Sequence, residues 1–449
     1  MNPTEKNDLR KKVPKNLLNQ PTNIPVRLSR KQLIRQQYKK IQSLLAEIIP
    51  SNPFYTKKLQ LIKAGTIKSL QDFSQHCPFT HKEEFVQDQK LHPPYGTNLT
   101  YPLHHYTRFN QTSGTTGIPL HWLDTSESWS WMLDNWNHIY QAAGVTPYDR
   151  IFFPFSFGPF LGFWTAFESA YGLGCLCLSG GGLRSTSRLR MILDHELTVL
   201  CCTPTYAIRL AEVAKRENID LAQSKVRLLI MAGETGASAP AARSYIESLW
   251  PGTRLVDHHG MTEVGPISYE CPQQPCVLHI IETSFFPEVV NPKSGESIPE
   301  GQVGELVITN LGRTGSPVIR YRTGDLVRWS RSTPCMCGSN EIALHSGIIG
   351  RSDNMVVIRG VNIYPSAVEE IIRAVGGIAE YQVQIAQKSS MPVLRIYIEL
   401  ETCSKDGKKV ISLLQNALHQ AFALHISVST LPSGTLPRFE FKSERWIYD

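Results

Sequence analysis

A short run of hydroxyl and glycine residues, FNQTSGTTGIP, is the segment of this sequence with the clearest chemical capacity. Glycine lets the backbone fold tightly around an anion, and hydroxyl groups can donate hydrogen bonds to that anion. These are the requirements of a polyphosphate site, although the Gly-Lys-Ser/Thr of a Walker A loop is absent. The local sequence alone leaves a solvated turn as the alternative. The candidate phosphate-binding residues are Thr112, Ser113, Gly114, Thr115, Thr116 and Gly117.

Three cysteines and one histidine form a second group with chemical capacity. Cys271 and His279 are eight positions apart, and Cys335 and Cys337 form a C-x-C pair on a turn bounded by proline and glycine. Three thiolates and one imidazole are the ligands of a closed, tetrahedral Zn²⁺ site of the structural kind. We therefore predict structural zinc, with Cys276 as a spare candidate ligand.

Further motifs follow the phosphate-binding candidate in a fixed order. They are GET at 233–235, HHGMTEVG at 258–265, YRTGDL at 321–326, GRSDNMVVIRGVNIYP at 350–365 and LPRFEFKSER at 436–445. With these motifs in register, the sequence resembles the adenylate-forming (acyl-activating) superfamily, and most closely its phenylacetate–coenzyme A ligase family. Members convert a carboxylic acid and ATP to an acyl-adenylate and pyrophosphate, and then pass the acyl group to a thiol. The resemblance implies ATP, Mg²⁺ and coenzyme A as cofactors.

The resemblance also implies roles for residues around the nucleotide. The pair Thr262 and Glu263 is catalytic, with Glu263 as a ligand of Mg²⁺, a hard ion that prefers oxygen. Asp325 accepts hydrogen bonds from the ribose hydroxyls, and Arg351 adds a contact near the ribose. The residues expected around the adenine are Gly233, Glu234, Thr235, His259 and Gly260.

Lys442 is the residue that the resemblance assigns to charge stabilisation on the acyl and bridging oxygens during adenylation. Asp353 falls at the expected hinge between two domains. Rotation there would exchange Lys442 for the face that carries Gly360 and would open a channel for coenzyme A.

Three positions depart from the pattern that is common among relatives. His259 stands where a stacking tyrosine is frequent, Ile118 where a lysine is usual, and Phe441 where a glycine precedes the catalytic lysine. A smaller stacking ring predicts weaker ATP binding. These departures keep open a non-catalytic protein on a ligase scaffold.

An aromatic stretch matches the part of the family that lines the acyl pocket. It predicts an apolar, aromatic acid as substrate, and the alternative is that these rings are simply core. The candidate pocket residues are Phe155, Phe157, Trp164 and Gly181.

The elements that must position these residues follow from hydrophobic patterns. Residues 198–204 and 227–231 are predicted buried strands, each preceded by helix-like sequence, which favours a parallel sheet covered on both faces. Beyond residue 304, short alternating runs predict antiparallel strands. The expected fold is α/β: a large N-terminal domain with parallel sheets and a β-rich subdomain, and a small mobile α+β C-terminal domain. We place a basic arm at 1–30, the adenylation domain at 31–350 and the C-terminal domain at 351–449.

Composition excludes several classes of protein. The chain has 449 residues and a net charge of +7, but its first forty residues contain eleven basic and two acidic side chains. The remainder is near neutral, so overall charge does not indicate a nucleic-acid partner. Ten cysteines in a chain of this length are not a disulfide framework, and no apolar run is long enough to span a membrane. We expect a cytoplasmic protein.

The leading hypothesis is an AMP-forming acid–coenzyme A ligase that works on a small-molecule carboxylic acid. Transfer of the acyl group to a carrier-protein thiol or to an amine is the alternative, and the basic arm could attract an acidic carrier protein. We expect no membrane or nucleic-acid partner and leave a homodimer open.

Overall fold

The computed structural model describes residues 28–62, 66–112, 119–234, 237–331, 334–358, 361–388, 391–401, 407–440 and 442–448. Its helices are α1 (Arg30–Ile48), α2 (Pro53–Lys58), α3 (Leu70–His76), α4 (Lys82–Leu91), α5 (Ser126–Ala143), α6 (Leu161–Gly172), α7 (Ser185–Asp194), α8 (Pro204–Arg216), α9 (Pro240–Leu249), α10 (Pro365–Val375) and α11 (Gly407–Phe422). Short 3₁₀ turns lie at Leu103–His105 and Leu221–Gln223. No helix among the described residues is both long and apolar enough to cross a membrane.

A five-stranded parallel sheet carries one edge of the candidate site. Its strands, in spatial order, are β4 (Leu176–Ser179), β3 (Arg150–Phe153), β5 (Val199–Cys202), β6 (Leu228–Met231) and β7 (Arg254–Asp257). Along β5, Val199 and Cys201 pack into one core, whereas Leu200 and Cys202 pack into a second core on the other face. This confirms the predicted parallel sheet covered on both faces, since helices α5 and α6 contribute to the first core and helices α7, α8 and α9 to the second.

A six-stranded antiparallel sheet follows in sequence. Its strands, in spatial order, are β10 (Ser268–Glu270), β11 (Val277–Ile280), β15 (Ala343–Arg351), β14 (Tyr321–Ser330), β13 (Val303–Asn310) and β12 (Phe285–Val290). Two ribbons accompany the sheets: β1 (Tyr106–Gln111) with β2 (His121–Thr125), and β8 (Gly260–Met261) with β9 (Gly265–Pro266). The antiparallel strands predicted beyond residue 304 are therefore confirmed.

The C-terminal part has a core of its own, formed by buried residues between Val356 and Val428. Its four-stranded sheet has the order β20 (Ser427–Leu431), β19 (Met391–Leu400), β18 (Ile378–Lys388) and β21 (Trp446–Tyr448), and a ribbon pairs β16 (Val356–Ile358) with β17 (Val361–Ile363). Helices α10 and α11 contribute Val368, Ile372, Leu414 and Leu418 to this core. The predicted α/β class, with a small α+β C-terminal part, is confirmed.

Helix α1 is fastened to the six-stranded sheet by polar contacts. Ser29 caps the helix by accepting the amide of Gln32, and Arg30 pairs with buried Glu282 at 2.6 Å. Buried Gln37 donates to the backbone oxygens of Glu282 and Phe285. The described chain is thus anchored from its first helix onward.

Candidate active site

Lys442 lies across the boundary between the two parts of the chain, against the turn that follows β6. A Cβ atom on Gly233 would lie 3.7 Å from Cε of Lys442. Gly233 has a φ of +89°, in the left-handed region that favours glycine. The next residue, Glu234, accepts the amide of Ser443 at 2.5 Å and the amide of Thr205 at 3.1 Å. Glu234 therefore joins the lysine-bearing segment to the first turn of α8.

The surroundings of Lys442 affect its charge. Lys442 is exposed to solvent, and Glu234 and Glu263 are among the charged groups around it. Partial burial lowers the pKa of Lys442, and the nearby carboxylates of Glu234 and Glu263 oppose that shift. The lysine is therefore placed where an incoming anion would interact with it strongly.

Glu263 is a buried carboxylate whose partner in the structure is a lysine. Its Oε1 lies 3.4 Å from Nζ of Lys82, the first residue of α4, and only 6% of Glu263 is exposed. A desolvated carboxylate needs a cation or hydrogen-bond donors beside it. The Glu263 carboxylate thus already has a positively charged group beside it, and its oxygens could bind a metal ion.

A buried ion pair holds the backbone on either side of this carboxylate. The guanidinium of Arg313, which is fully buried, donates to both carboxylate oxygens of Asp124 at 2.7 Å. A third nitrogen donates to the backbone oxygens of Thr262 and Glu263 at 2.7 and 3.0 Å. Asp124 and Arg313 are therefore positioning residues for the predicted catalytic pair.

Asp325 and Arg351 are brought together by strand register, because they are paired across β14 and β15. The guanidinium donates to Asp325 at 3.2 Å and to both oxygens of Asp353 at 2.8 and 2.7 Å. Gly324, beside this guanidinium in β14, has a φ of +79°, in the left-handed region that favours glycine. Arg351 thus links the predicted ribose-binding carboxylate to the predicted hinge.

His259 contacts the same carboxylate from the other side. Its Nε2 lies 2.9 Å from Oδ2 of Asp325. Burial alone would raise the pKa of Asp325, but His259 and Arg351 outweigh that effect and hold the pKa below its ordinary value. Asp325 remains ionised, as acceptance of two hydroxyl hydrogen bonds requires. Gly260 lies next to His259, packed against the backbone of Gly265.

The predicted acid-pocket residues are also brought together. Phe157 packs on Trp164 with ring centroids 4.8 Å apart, and Phe155 stacks on Phe163 at 3.9 Å. A Cβ atom on Gly181 would lie 3.2 Å from the backbone oxygen of Phe155, which shows close packing of the glycine turn on this segment. Trp164 is 38% exposed, so the aromatic group reaches the surface of the fold.

The four predicted zinc ligands converge although they come from three separate segments. The ligand atoms of Cys271, His279, Cys335 and Cys337 all lie within 4.8 Å of one another. The sulfurs of Cys271 and Cys335 are 3.8 Å apart, and the sulfur of Cys337 is 3.5 Å from Nε2 of His279. Tetrahedral zinc with Zn–S of about 2.3 Å and Zn–N of about 2.05 Å requires about 3.8 and about 3.6 Å for these separations. Cys276, the spare candidate, does not belong to this group.

Some predicted residues lie outside the part of the chain that the structure describes. Thr112 is described, and its hydroxyl accepts the amide of Leu120 at 2.9 Å. The predicted residues outside the described ranges are Ser113, Gly114, Thr115, Thr116, Gly117, Thr235 and Gly360. Ile118 and Phe441, two of the departures, also lie outside.

Sequence reasoning missed Lys82, Asp124 and Arg313. Lys82 and its partner Glu263 are 181 positions apart, so no local spacing relates them. Asp124 and Arg313 are 189 positions apart, so no local spacing relates them. An arginine that follows a glycine just beyond strand β13 was the available hint, and it is a weak one.

Comparisons with known proteins agree with the resemblance. Residues 66–313 match the family described as AMP-binding enzyme, and residues 360–449 match the AMP-binding enzyme C-terminal domain. The phenylacetate-coenzyme A ligase of Thermus thermophilus is 29% identical over 446 residues, which cover 94% of this chain and 97% of that one.

Two solved structures of 2-hydroxyisobutyryl-CoA ligase match the fold to different degrees. The postadenylation state in complex with R3-HIB-AMP has a TM-score of 0.89 at 25% identity, covering 94% of this chain and 90% of that one. The thioesterification state in complex with 2-HIB-AMP and CoA has a TM-score of 0.67 at 26% identity, covering 94% and 91%. Because one family match alone spans more than half of the residues, the chain belongs to the AMP-binding enzyme family.

Proposed function

We propose that this protein activates a carboxylic acid with ATP to an acyl-adenylate and then transfers the acyl group to coenzyme A. The observation that carries the proposal is the contact of Lys442 with the turn at Gly233, across the boundary between the two parts of the chain and near the carboxylates of Glu234 and Glu263. The similarity to phenylacetate–coenzyme A ligases over nearly the whole chain supports the same reaction. The aromatic group around Phe155 and Phe157 favours an aromatic acid.

In the first step, the carboxylate oxygen of the acid attacks the α-phosphate of ATP, and pyrophosphate leaves. Lys442 stabilises the negative charge that develops on the acyl and bridging oxygens. Asp325 accepts hydrogen bonds from the ribose hydroxyls, and Arg351 keeps that carboxylate oriented. His259 and the turn at Gly233 flank the adenine, while Glu234 holds the lysine-bearing segment in place.

In the second step, the thiol of coenzyme A attacks the acyl carbon and AMP leaves. Lys442 has no part in this attack. Rotation of the C-terminal part about a hinge at Asp353 would move Lys442 out of the site and bring the face that carries Gly360 into its place. The structure matches the postadenylation state better than the thioesterification state. This supports the view that Lys442 is in the position it takes for the first step. Arg351 would have to release Asp353 when the hinge rotates.

Glu263 would hold Mg²⁺, which supplies charge neutralisation on the phosphates when it is bound. We expect Glu263→Gln to slow adenylation by roughly 100-fold, because a neutral amide is a poor ligand for a hard cation. The measurement is single-turnover pyrophosphate release over a range of magnesium concentrations, with the melting temperature as a check on the fold.

Lys82→Met is the matched control for this substitution, since it removes the ion pair but leaves the carboxylate. If Glu263 acted only by pairing with Lys82, the two variants would be equally slow. The metal role predicts that Glu263→Gln alone raises the magnesium concentration needed for half-maximal rate.

We also propose structural Zn²⁺ at Cys271, His279, Cys335 and Cys337, on the agreement between observed and tetrahedral separations. Protein purified without chelators should contain about one zinc per chain. Cys337→Ser should lose zinc and melt at a lower temperature, because a structural metal contributes folding free energy.

Cys276→Ser is the matched control, since Cys276 is close in sequence to the ligands but stands apart from their cluster. It should retain both the zinc and the melting temperature. Native protein without zinc would contradict the assignment, as would equal metal loss in both cysteine variants.

The proposed function is tested by a panel of aromatic and aliphatic acids, assayed for ATP-dependent pyrophosphate release with and without coenzyme A. The proposal expects release with at least one acid and an acyl-CoA product when coenzyme A is present. Pyrophosphate release without a thioester would show that the acceptor is instead a carrier-protein thiol or an amine. Absence of release with every acid would refute the proposed activity.

A further inference from the structure

The first turn of α9 is capped by a side chain from the C-terminal part of the chain. The residue before the helix, Ala239, supplies no side-chain cap, and Pro240 occupies the first helical position. The amides of Ala241 and Ala242 therefore have no acceptor within the helix. Both donate to the carboxylate of Glu370 in α10, at 2.9 and 3.4 Å. The negative charge of this carboxylate also interacts favourably with the dipole of α9.

Further contacts join the C-terminal part to α9 one turn along that helix. The guanidinium of Arg373, which follows Glu370 by three residues in α10, lies over the ring of Tyr245, 4.9 Å from its centroid. The hydroxyl of Tyr245 donates to Glu401, another residue of the C-terminal part, at 3.3 Å. Because α9 is contacted both at its first turn and at Tyr245, the orientation of the C-terminal part against this helix is fixed.

The position of α9 bears directly on the candidate active site. This helix follows the turn that contains Gly233, which Lys442 contacts, and Glu234, which accepts the amide next to that lysine. Glu370 and Lys442 both lie beyond the predicted hinge at Asp353, so rotation there would move them together. A rotation that takes Lys442 out of the site would therefore also remove Glu370 from the first turn of α9.

We propose that Glu370 is a positioning residue, which holds the C-terminal part in the arrangement for acyl-adenylate formation by capping α9. This inference rests on the proposed acid-activating function and identifies a contact that sets the balance between its two steps. A contact made in only one of two arrangements shifts the equilibrium between them towards that arrangement. Hydrogen bonds to an ionised acceptor are stronger than those to a neutral one, so the loss of Glu370 favours the second arrangement.

The test measures the two steps separately in Glu370→Ala, with an acid that the wild-type protein activates. Single-turnover pyrophosphate release should slow by about five- to tenfold, because fewer molecules have Lys442 in place. Thioester formation from a supplied acyl-adenylate and coenzyme A should be at least as fast as in the wild type. Glu370→Gln should be intermediate, since its amide oxygen accepts a hydrogen bond without the charge. Glu217→Ala removes an exposed glutamate just after α8; it is the matched control and should leave both rates unchanged.

A second substitution separates the docking of the C-terminal part from the stability of α9 alone. Ala239→Ser places a hydroxyl where it can accept the amide of Ala241 or Ala242 from within the same segment. Added to Glu370→Ala, it should raise the melting temperature again but should not restore the rate of pyrophosphate release. Recovery of that rate in the double variant would overturn the inference, as would equal slowing of both steps or an unchanged first step in Glu370→Ala. In each of these cases the wild type still releases pyrophosphate, whereas failure of the proposed function means that no acid does so.

Discussion

Lys442→Ala should reduce the rate of acyl-adenylate formation by about 100- to 1,000-fold, the usual effect of removing a group that stabilises charge in the transition state. The same variant should convert a chemically supplied acyl-adenylate and coenzyme A to the thioester at close to the wild-type rate. The reason is geometric: Lys442 contacts the Gly233 turn in the arrangement that we assign to the first step, and hinge rotation would remove it for the second. Pyrophosphate release and thioester formation are therefore measured separately.

Glu444→Gln is the control for this experiment, since Glu444 lies two positions further along the same segment and is exposed. It should leave both rates unchanged. A loss of both steps in Lys442→Ala would argue that the lysine supports the position of the C-terminal part rather than the chemistry of adenylation. Retention of the first step would remove Lys442 from the mechanism.

Arg313→Met should lower the free energy of unfolding by about 3–5 kcal/mol, because it leaves the carboxylate of Asp124 buried without its partner. It should also lower kcat, since the guanidinium holds the backbone oxygens of Thr262 and Glu263. Urea titration gives the stability, and pyrophosphate release at saturating substrates gives the kinetic effect.

The double variant Asp124→Leu with Arg313→Met should recover part of the lost stability, because no uncompensated charge then remains in the core. It should not recover kcat, since the donors to Thr262 and Glu263 are still absent. Arg216→Met, which breaks an exposed pair with Glu217, should cost less than about 1 kcal/mol and serves as the matched control. A stable and fully active Arg313→Met variant would show that the pair does not position the site.

Secondary structure was predictable wherever burial dictated the sequence pattern. The runs at 198–204 and 227–231 contain β5 and β6, which are continuously apolar because both of their faces are covered. The alternating runs beyond residue 304 become β13 and β14. The hydrophobic pattern of a strand or helix reflects which of its faces are buried. That pattern is visible in the local sequence, even when the residues that cover those faces are far away along the chain.

Residue types and their positions along the chain were enough to predict the family, the order of the motifs and the four cysteine and histidine residues of the proposed zinc site. The folded structure was needed to show which groups meet: Lys442 against Gly233, Arg313 against Asp124, and Lys82 against Glu263. These pairs join positions more than a hundred residues apart, and their contacts arise from sheet order and domain docking. Spacing in sequence does not encode such distances, since hydrogen bonds, burial and charge act through space and not along the chain.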